Sequence, residues 1–355
     1  VRILHVTDRL TDRGGAHWHL LGVIAEQKRR GHSPELAVGR CDPGLAPPCP
    51  VTIVPGLDAR GREPAALGPV VGARRPNVVH VHTVVNPLAL ELAAGLPALV
   101  TVQDHRYFCP TRGKWTLDGR RCREAMRPDL CAGCFEDAAY FREVYALTAQ
   151  RLAAVAQMEV VVLSEYMKGE LAAAGVGSER LTVIPPFVHG LDETAPASGP
   201  PCVLFVGRLS EAKGAHEAAR VWRLSGLEPP LVFAGTGPLR ERLESEGFEV
   251  LGWVPHPQLA SVYRRGLALV MPSLWQEPFG IAGLEAASLG VPVAAYASGG
   301  IPEWHPGVGL VDWGDADALA GALRAVVGRA PAPARVSAKE ELMERLERRY
   351  AAVRR

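Results

Sequence analysis

Along the chain, short runs of β-branched and apolar residues alternate with longer stretches whose apolar positions recur every three to four residues. The short runs fit strands buried on both faces and the longer stretches fit the helices that bury them. The pattern therefore predicts parallel sheets covered by helices on each side. In the first half the spacing predicts strands over 2–6, 35–38, 78–81, 98–102 and 159–163, with helices such as 16–30 and 141–156 between them. The scheme repeats with strands over 203–206, 231–234, 268–271, 291–295 and 309–311. Between the halves, 185–201 carries five prolines among small residues, a composition that resists regular structure and suits a linker.

The two halves open alike. Leu4-His5-Val6 leads through a short loop to Gly14-Gly15-Ala16-His17, and Leu204-Phe205-Val206 leads to Lys213-Gly214-Ala215-His216. Strand, glycine-bearing loop and helix, in that order and twice, predict two Rossmann-like α/β domains with ligands beyond the carboxyl ends of their strands, in the cleft where the two face each other. We place the first domain at 1–186, a linker at 187–200, the second domain at 201–330, and a terminal helix at 331–355 packing back towards the first domain.

With 355 residues, 48% of them hydrophobic, the chain can fill two cores, which excludes disorder as its main state. Lys and Arg total 39 against 38 Asp and Glu, so no global field draws nucleic acid, and membrane contact is peripheral at most. The first strand run has no basic segment before it, and no apolar run reaches the roughly 20 residues that span a bilayer. The expectation is a cytoplasmic protein, monomeric or homodimeric. Four of the seven cysteines, Cys109, Cys122, Cys131 and Cys134, crowd one insertion at about 106–135. In a reducing compartment that clustering points to metal more than to disulfides. Four thiolates would close a tetrahedral zinc site with no open position, hence a structural one, although only Cys131-Ala132-Gly133-Cys134 has the usual ligand spacing. Buried or partly oxidised thiols are the alternative. Cys41, Cys49 and Cys202 show no partner pattern.

The most informative segment follows the apolar run at 267–271 and reads Pro272-Ser273-Leu274-Trp275-Gln276-Glu277-Pro278-Phe279-Gly280-Ile281-Ala282-Gly283-Leu284-Glu285. Pro278 and the small residues after it mark a loop turning into a helix, which puts Glu277 in the loop and Glu285 inside the helix. A helix starting near Gly280 and Ile281 offers N–H groups and a positive dipole end to phosphate or sugar hydroxyls, and a carboxylate accepts from two adjacent hydroxyls at once. Arg208 and Lys213 share the loop after the strand that opens the second domain, where two cations can neutralise a diphosphate leaving group. The turn Gly235-Thr236-Gly237 follows the next strand. His80 and His82 lie along a strand expected to be buried; we expect one on each side of the sheet, as core histidines.

These motifs, in this order, resemble the retaining glycosyltransferases of family 4, of GT-B fold, over nearly the whole chain. They are Gly14-Gly15, Val79-His80-Val81-His82, Val206-Gly207-Arg208-Leu209 with Lys213-Gly214, Ala234-Gly235-Thr236-Gly237, and the Glu277/Glu285 pair eight residues apart. The resemblance implies transfer of a hexose-type sugar from a nucleoside-diphosphate sugar, UDP or GDP, to an acceptor that is a glycan, a lipid-linked molecule or a small molecule, with no catalytic metal. It implies that Glu285 holds the ribose hydroxyls, that Glu277 with the backbone of Phe279, Gly280 and Ile281 holds the donor sugar, and that Arg208 and Lys213 hold the diphosphate. It makes Leu251-Gly252-Trp253-Val254 the edge on which the base lies, and Gly15 an amide that approaches the phosphates from the first domain. A subset of the family carries a similar Cys-rich insertion. One departure stands out: family members commonly have His-Asp after the fourth strand, where this chain has Gln103-Asp104-His105. A glutamine donates a hydrogen bond there but carries no proton.

Fold alone does not separate this reading from another GT-B enzyme such as a nucleotide-sugar epimerase or a phosphorylase, although no lysine context suits pyridoxal phosphate. A zinc-stapled interaction module fits less well, given the neutral charge and the absence of zinc-finger histidine spacing.

Overall fold

The computed structural model of the protein describes residues 1–60, 67–111, 113–330 and 332–354. Position 112 of the cysteine insertion and positions 331 and 355 of the C-terminal segment lie outside the described residues. The chain divides into two compact units, one of Val1–Leu117, Cys122–Phe187 and Ser337–Arg355, the other of Asp118–Arg121 and Val188–Val336. Among the described residues no helix is long and apolar enough to cross a membrane.

The first unit is built on strands β1 (Arg2–Leu10), β2 (Ser33–Cys41), β3 (Val51–Ile53), β4 (Val78–Val81), β5 (Ala98–Val102), β6 (Glu159–Val162) and β7 (Leu181–Val183). They pair in parallel in the order β3-β2-β1-β4-β5-β6-β7. Because side chains alternate along a strand, the central strands feed two cores. Leu4, Val6, Val79, Val81, Val100 and Val162 enter one. Ile3, Val78, Leu99 and Val161 enter the other, where the helix Lys339–Val353 covers them with Leu342, Met343, Leu346 and Tyr350. A helix from the far end of the chain thus closes the second face of the first sheet.

The second unit carries β8 (Cys202–Val206), β9 (Leu231–Ala234), β10 (Glu249–Gly252), β11 (Gly266–Met271), β12 (Val293–Tyr296) and β13 (Leu310–Val311). All are parallel, in the order β10-β9-β8-β11-β12-β13. Helices Ala215–Ser225 and Ala316–Val326 pack Ala218, Val221, Leu319 and Leu323 onto Phe205, Phe233, Val270 and Tyr296. The strand expected at 291–295 begins two residues later. The Val291 N–H instead donates to Ala286 O (2.9 Å) and closes the preceding helix, and Pro292 has no N–H to give the sheet.

One expectation is corrected. His80 and His82 do not face opposite sides of the sheet; residues two apart project to the same side. Their ring centroids are 4.0 Å apart, and each lies 5.2 Å from His5, which the register sets opposite His80. The three rings belong to one buried network. His82 Nε2 donates to His5 Nδ1 (2.9 Å) and His5 Nε2 to Gln27 Oε1 (2.8 Å). The Gln27 amide donates to the Tyr350 hydroxyl (2.7 Å), which donates to His80 Nδ1 (2.8 Å), and His80 Nε2 donates to Thr101 Oγ1 (2.7 Å). A proton assignment consistent along the whole chain keeps every ring neutral, and burial agrees with it by lowering the pKa of His5 to about 4.

Candidate functional site

In the second unit the residues of interest collect beyond the carboxyl ends of β8, β9 and β11. The loop after β8 carries Arg208, which is exposed, and Lys213, which is half-buried. The helix Ala215–Ser225 follows from Gly214, whose φ of +73° is left-handed. The turn after β9 is pressed against the turn after β8. A Cβ on Gly235 would lie 1.8 Å from Gly207 O, and one on Gly237 would lie 2.3 Å from Leu209 O. Only glycine fits where two backbones approach so closely. Val254 is half-buried just past β10.

After β11 the chain forms the loop that holds Glu277 and turns at Gly280 (φ +90°) into the helix Ile281–Ser288. Glu277 is buried, and both oxygens of its carboxylate accept hydrogen bonds. Lys213 Nζ donates to Oε1 (2.8 Å) and Oε2 (3.0 Å), and Ser273 Oγ donates to Oε1 (2.7 Å). The Lys213 ammonium also lies 4.2 Å from the centre of the Trp275 ring, a favourable cation–π distance. The Phe279 carbonyl accepts from Trp304 Nε1 (2.6 Å), which anchors the residue just ahead of the helix.

Glu285 lies inside that helix, buried, with a donor on each oxygen. His256 Nε2 reaches Oε1 (2.8 Å), and the Tyr263 hydroxyl donates to Oε2 (2.9 Å). Burial, then the charge of Glu285, raise the Tyr263 phenol well above its ordinary pKa, so it stays a donor. Ser273, Trp275, His256 and Tyr263 were not singled out from the sequence. Ser273 and Trp275 sit inside the motif itself, whereas His256 and Tyr263 carry no local signal.

In the first unit, Gly14 (φ +97°) precedes the helix that opens at Gly15. Gln103 follows β5, buried, and its Oε1 has no hydrogen-bond partner among the described residues. His105 is turned aside, its Nε2 hydrogen-bonded to the Tyr166 hydroxyl (3.0 Å). Arg106 bridges Asp8 (3.1 Å) and Asp104 (2.8 Å), an arrangement that no sequence motif announces. Cys109 is buried and Cys122, Cys131 and Cys134 are half-buried. Burial, together with the charges of Cys109, Cys134 and Cys122, pushes the Cys131 thiol up, but no three of the four sulfurs, all among the described residues, lie within 4.8 Å of one another. Among the described residues, the His, Cys, Asp or Glu trio with ligand atoms all within 4.8 Å of one another is His5, His80 and His82.

Known proteins match both units. Residues 13–189 match the family described as Glycosyltransferase Family 4, and residues 200–329 match Glycosyl transferases group 1. The 2-deoxystreptamine N-acetyl-D-glucosaminyltransferase of Streptomyces fradiae is 30% identical over 279 residues, which cover 72% of this chain and 63% of that protein. A glycogen synthase of Mycobacterium tuberculosis is 33% identical over 163 residues, 41% of this chain and 38% of that one. The chain therefore spans less than two thirds of the length of either relative. The structure of sucrose-phosphate synthase from Thermosynechococcus elongatus superposes with a TM-score of 0.66 over 99% of this chain and 95% of that one, at 18% identity, a likeness of fold. With two parallel Rossmann-like sheets, and family matches running from residue 13 to residue 329, the chain belongs to the group 1, family 4 glycosyltransferases of GT-B fold.

Proposed function

We propose that the protein transfers a hexose-type sugar, with retention of anomeric configuration, from a nucleoside-diphosphate sugar to a hydroxylated acceptor. The observation that carries this reading is the pair of buried carboxylates, one in the loop before a helix and one inside that helix, each oriented by two side-chain donors. In the proposed arrangement Glu285 accepts from the ribose hydroxyls. Glu277 and the backbone at Phe279, Gly280 and Ile281 hold the donor sugar, where N–H groups at the helix start suit a hydroxyl or phosphate oxygen. Arg208 and Lys213 take up the charge that grows on the diphosphate as its bond to the sugar breaks. Gly235 and Gly237 let the backbone come close to the nucleotide, and Val254 borders the base. UDP and GDP sugars are the donors to test first. No protein-bound metal is needed for the chemistry.

Incubation with a panel of nucleotide sugars tests the reading. One donor should be hydrolysed slowly without acceptor and consumed faster with the right acceptor, and proton couplings of the product should show the donor's anomeric configuration. An acceptor panel should include 2-deoxystreptamine, which the Streptomyces relative's name contains. Isomerised donor with no transfer would point to epimerase chemistry instead.

The same proposal assigns structural zinc to Cys109, Cys122, Cys131 and Cys134. Cys109, Cys134 and Cys122 add to burial in pushing the Cys131 thiol up, and a cation beside Cys131 would offset that by stabilising the thiolate. Protein purified without a His tag should contain close to one zinc per chain, lost in the Cys131→Ser, Cys134→Ser double variant. Metal-free protein with four freely titrating thiols would refute it.

A further inference from the structure

Glu285 could be an isolated buried carboxylate waiting for a ligand, but it is built into a wall. His256 and Tyr263 come from one eight-residue segment, 256–263, which runs from a single 3-10 turn through the short helix Leu259–Tyr263. That segment follows directly on the edge proposed for the base. Each of the two donors takes a different oxygen of Glu285. One donor would leave the carboxylate free to rotate about its last torsion, whereas two donors on two oxygens fix its plane. A carboxylate oxygen has two lone-pair directions, so one on each oxygen remains for a ligand. Two acceptors held in one plane match a vicinal diol. Tyr263 is fully buried and His256 nearly so, which keeps water from competing for the inner lone pairs and makes the holding bonds stiff.

We propose that His256 and Tyr263 are positioning residues that orient Glu285 towards the ribose diol and so set the enzyme's preference for ribonucleotides over 2′-deoxyribonucleotides. The inference rests on the reading of Glu285 as the ribose acceptor and adds what makes that acceptor selective. Neither side chain touches the nucleotide; each acts through the carboxylate it fixes. Loss of either donor lets Glu285 turn, and the hydrogen bond that distinguishes ribose from deoxyribose loses its geometry.

The test is calorimetric binding of UDP and 2′-deoxy-UDP, and of GDP and 2′-deoxy-GDP, to the wild type, Tyr263→Phe, His256→Gln and Glu285→Gln. The wild type should prefer the ribo form of its cognate nucleotide by about tenfold or more, the scale of one well-made hydrogen bond to a charged group. Tyr263→Phe and His256→Gln should each erase most of that ratio, mainly by weakening the ribo form. A purely structural role would weaken ribo and deoxy forms alike and leave the ratio intact, and that result in a folded variant overturns the proposal. If Tyr263→Phe does not fold, His256→Gln decides alone. A wild type that binds both forms equally overturns the ribose reading itself, and this inference with it. That pattern is distinct from a selective wild type with equally selective variants.

Discussion

Two glutamates eight residues apart carry the proposed chemistry, yet their surroundings give them different consequences when changed. Glu277 is held by an ammonium and a hydroxyl, so a change at Lys213 strips a buried carboxylate of its cation while Ser273 still donates to it. Lys213→Met should lower turnover by about 10²-fold or more, as loss of a preorganised transition-state donor does, with a smaller loss in donor affinity. Steady-state kinetics beside direct donor titration separate the two, and equal losses would show that the lysine serves ground state and transition state alike. Glu285 is held by an imidazole and a phenol inside the protein, so Glu285→Ala removes the acceptor of the Tyr263 hydroxyl and the partner of His256 Nε2. Each buried group left unpaired costs about 1–3 kcal/mol. The variant should therefore bind nucleoside diphosphate at least about tenfold more weakly and also melt earlier. Wild-type affinity by calorimetry would remove Glu285 from the nucleotide site.

Elements differ in how much a single position constrains them, and the paired turns after β8 and β9 are the tightest case. On Gly235 a Cβ would strike the backbone oxygen of Gly207, and backbone cannot swing aside as a side chain can. Gly247, also at positive φ (+87°), has nothing within 4 Å of its added Cβ. Gly247→Ala should thus cost only the left-handed backbone penalty of about 1–2 kcal/mol, whereas Gly235→Ala should cost clearly more and weaken nucleotide binding. Denaturant midpoints of the two variants check this, and equal shifts would mean the turns separate freely. The same contrast explains what was legible in the sequence. β8, β9 and β11 announce themselves as apolar runs ending at glycine or proline, and the Glu277–Glu285 spacing places one residue in a loop and one in a helix. β3 and β7 are three-residue strands at the edges of the first sheet, too short to show a period. His256 and Tyr263 reach Glu285 across 29 and 22 residues, a contact that only tertiary structure creates. The histidine network is a matter of strand period: spaced two apart along β4, His80 and His82 fall on one face beside His5, not on opposite faces.

At the scale of the whole molecule, the histidines make the two units unequal in acid. His5, His17 and His19 have pKa values lowered to about 4, chiefly by burial, and His80 and His82 are lowered well below the ordinary value, again chiefly by burial. All five lie in the first unit; in the second, burial lowers His305. A histidine kept neutral when folded but free to protonate when unfolded contributes nothing against unfolding above its unfolded pKa near 6.5 and penalises the folded state below it. Stability should accordingly be level from pH 8 to about 6.5 and then fall as pH drops towards 4, by up to about 1.4 kcal/mol per pH unit for each such group. Three of the five, His5, His80 and His82, act together because the network links them through Gln27 and Tyr350, so protonating one ring forces its neighbours to give up a donor or an acceptor. Acid unfolding should then begin in the first sheet and release the helix Lys339–Val353, whose Tyr350 is part of that network. Hydrogen exchange at pH 7.5 and 5.0, corrected for intrinsic rates, should show β1, β4, β5 and this terminal helix losing protection at the lower pH while β8, β9 and β11 keep theirs. Loss of protection to the same extent in both sheets, or denaturant stability that stays flat down to pH 5, would show that the buried histidines do not govern how the protein responds to acid.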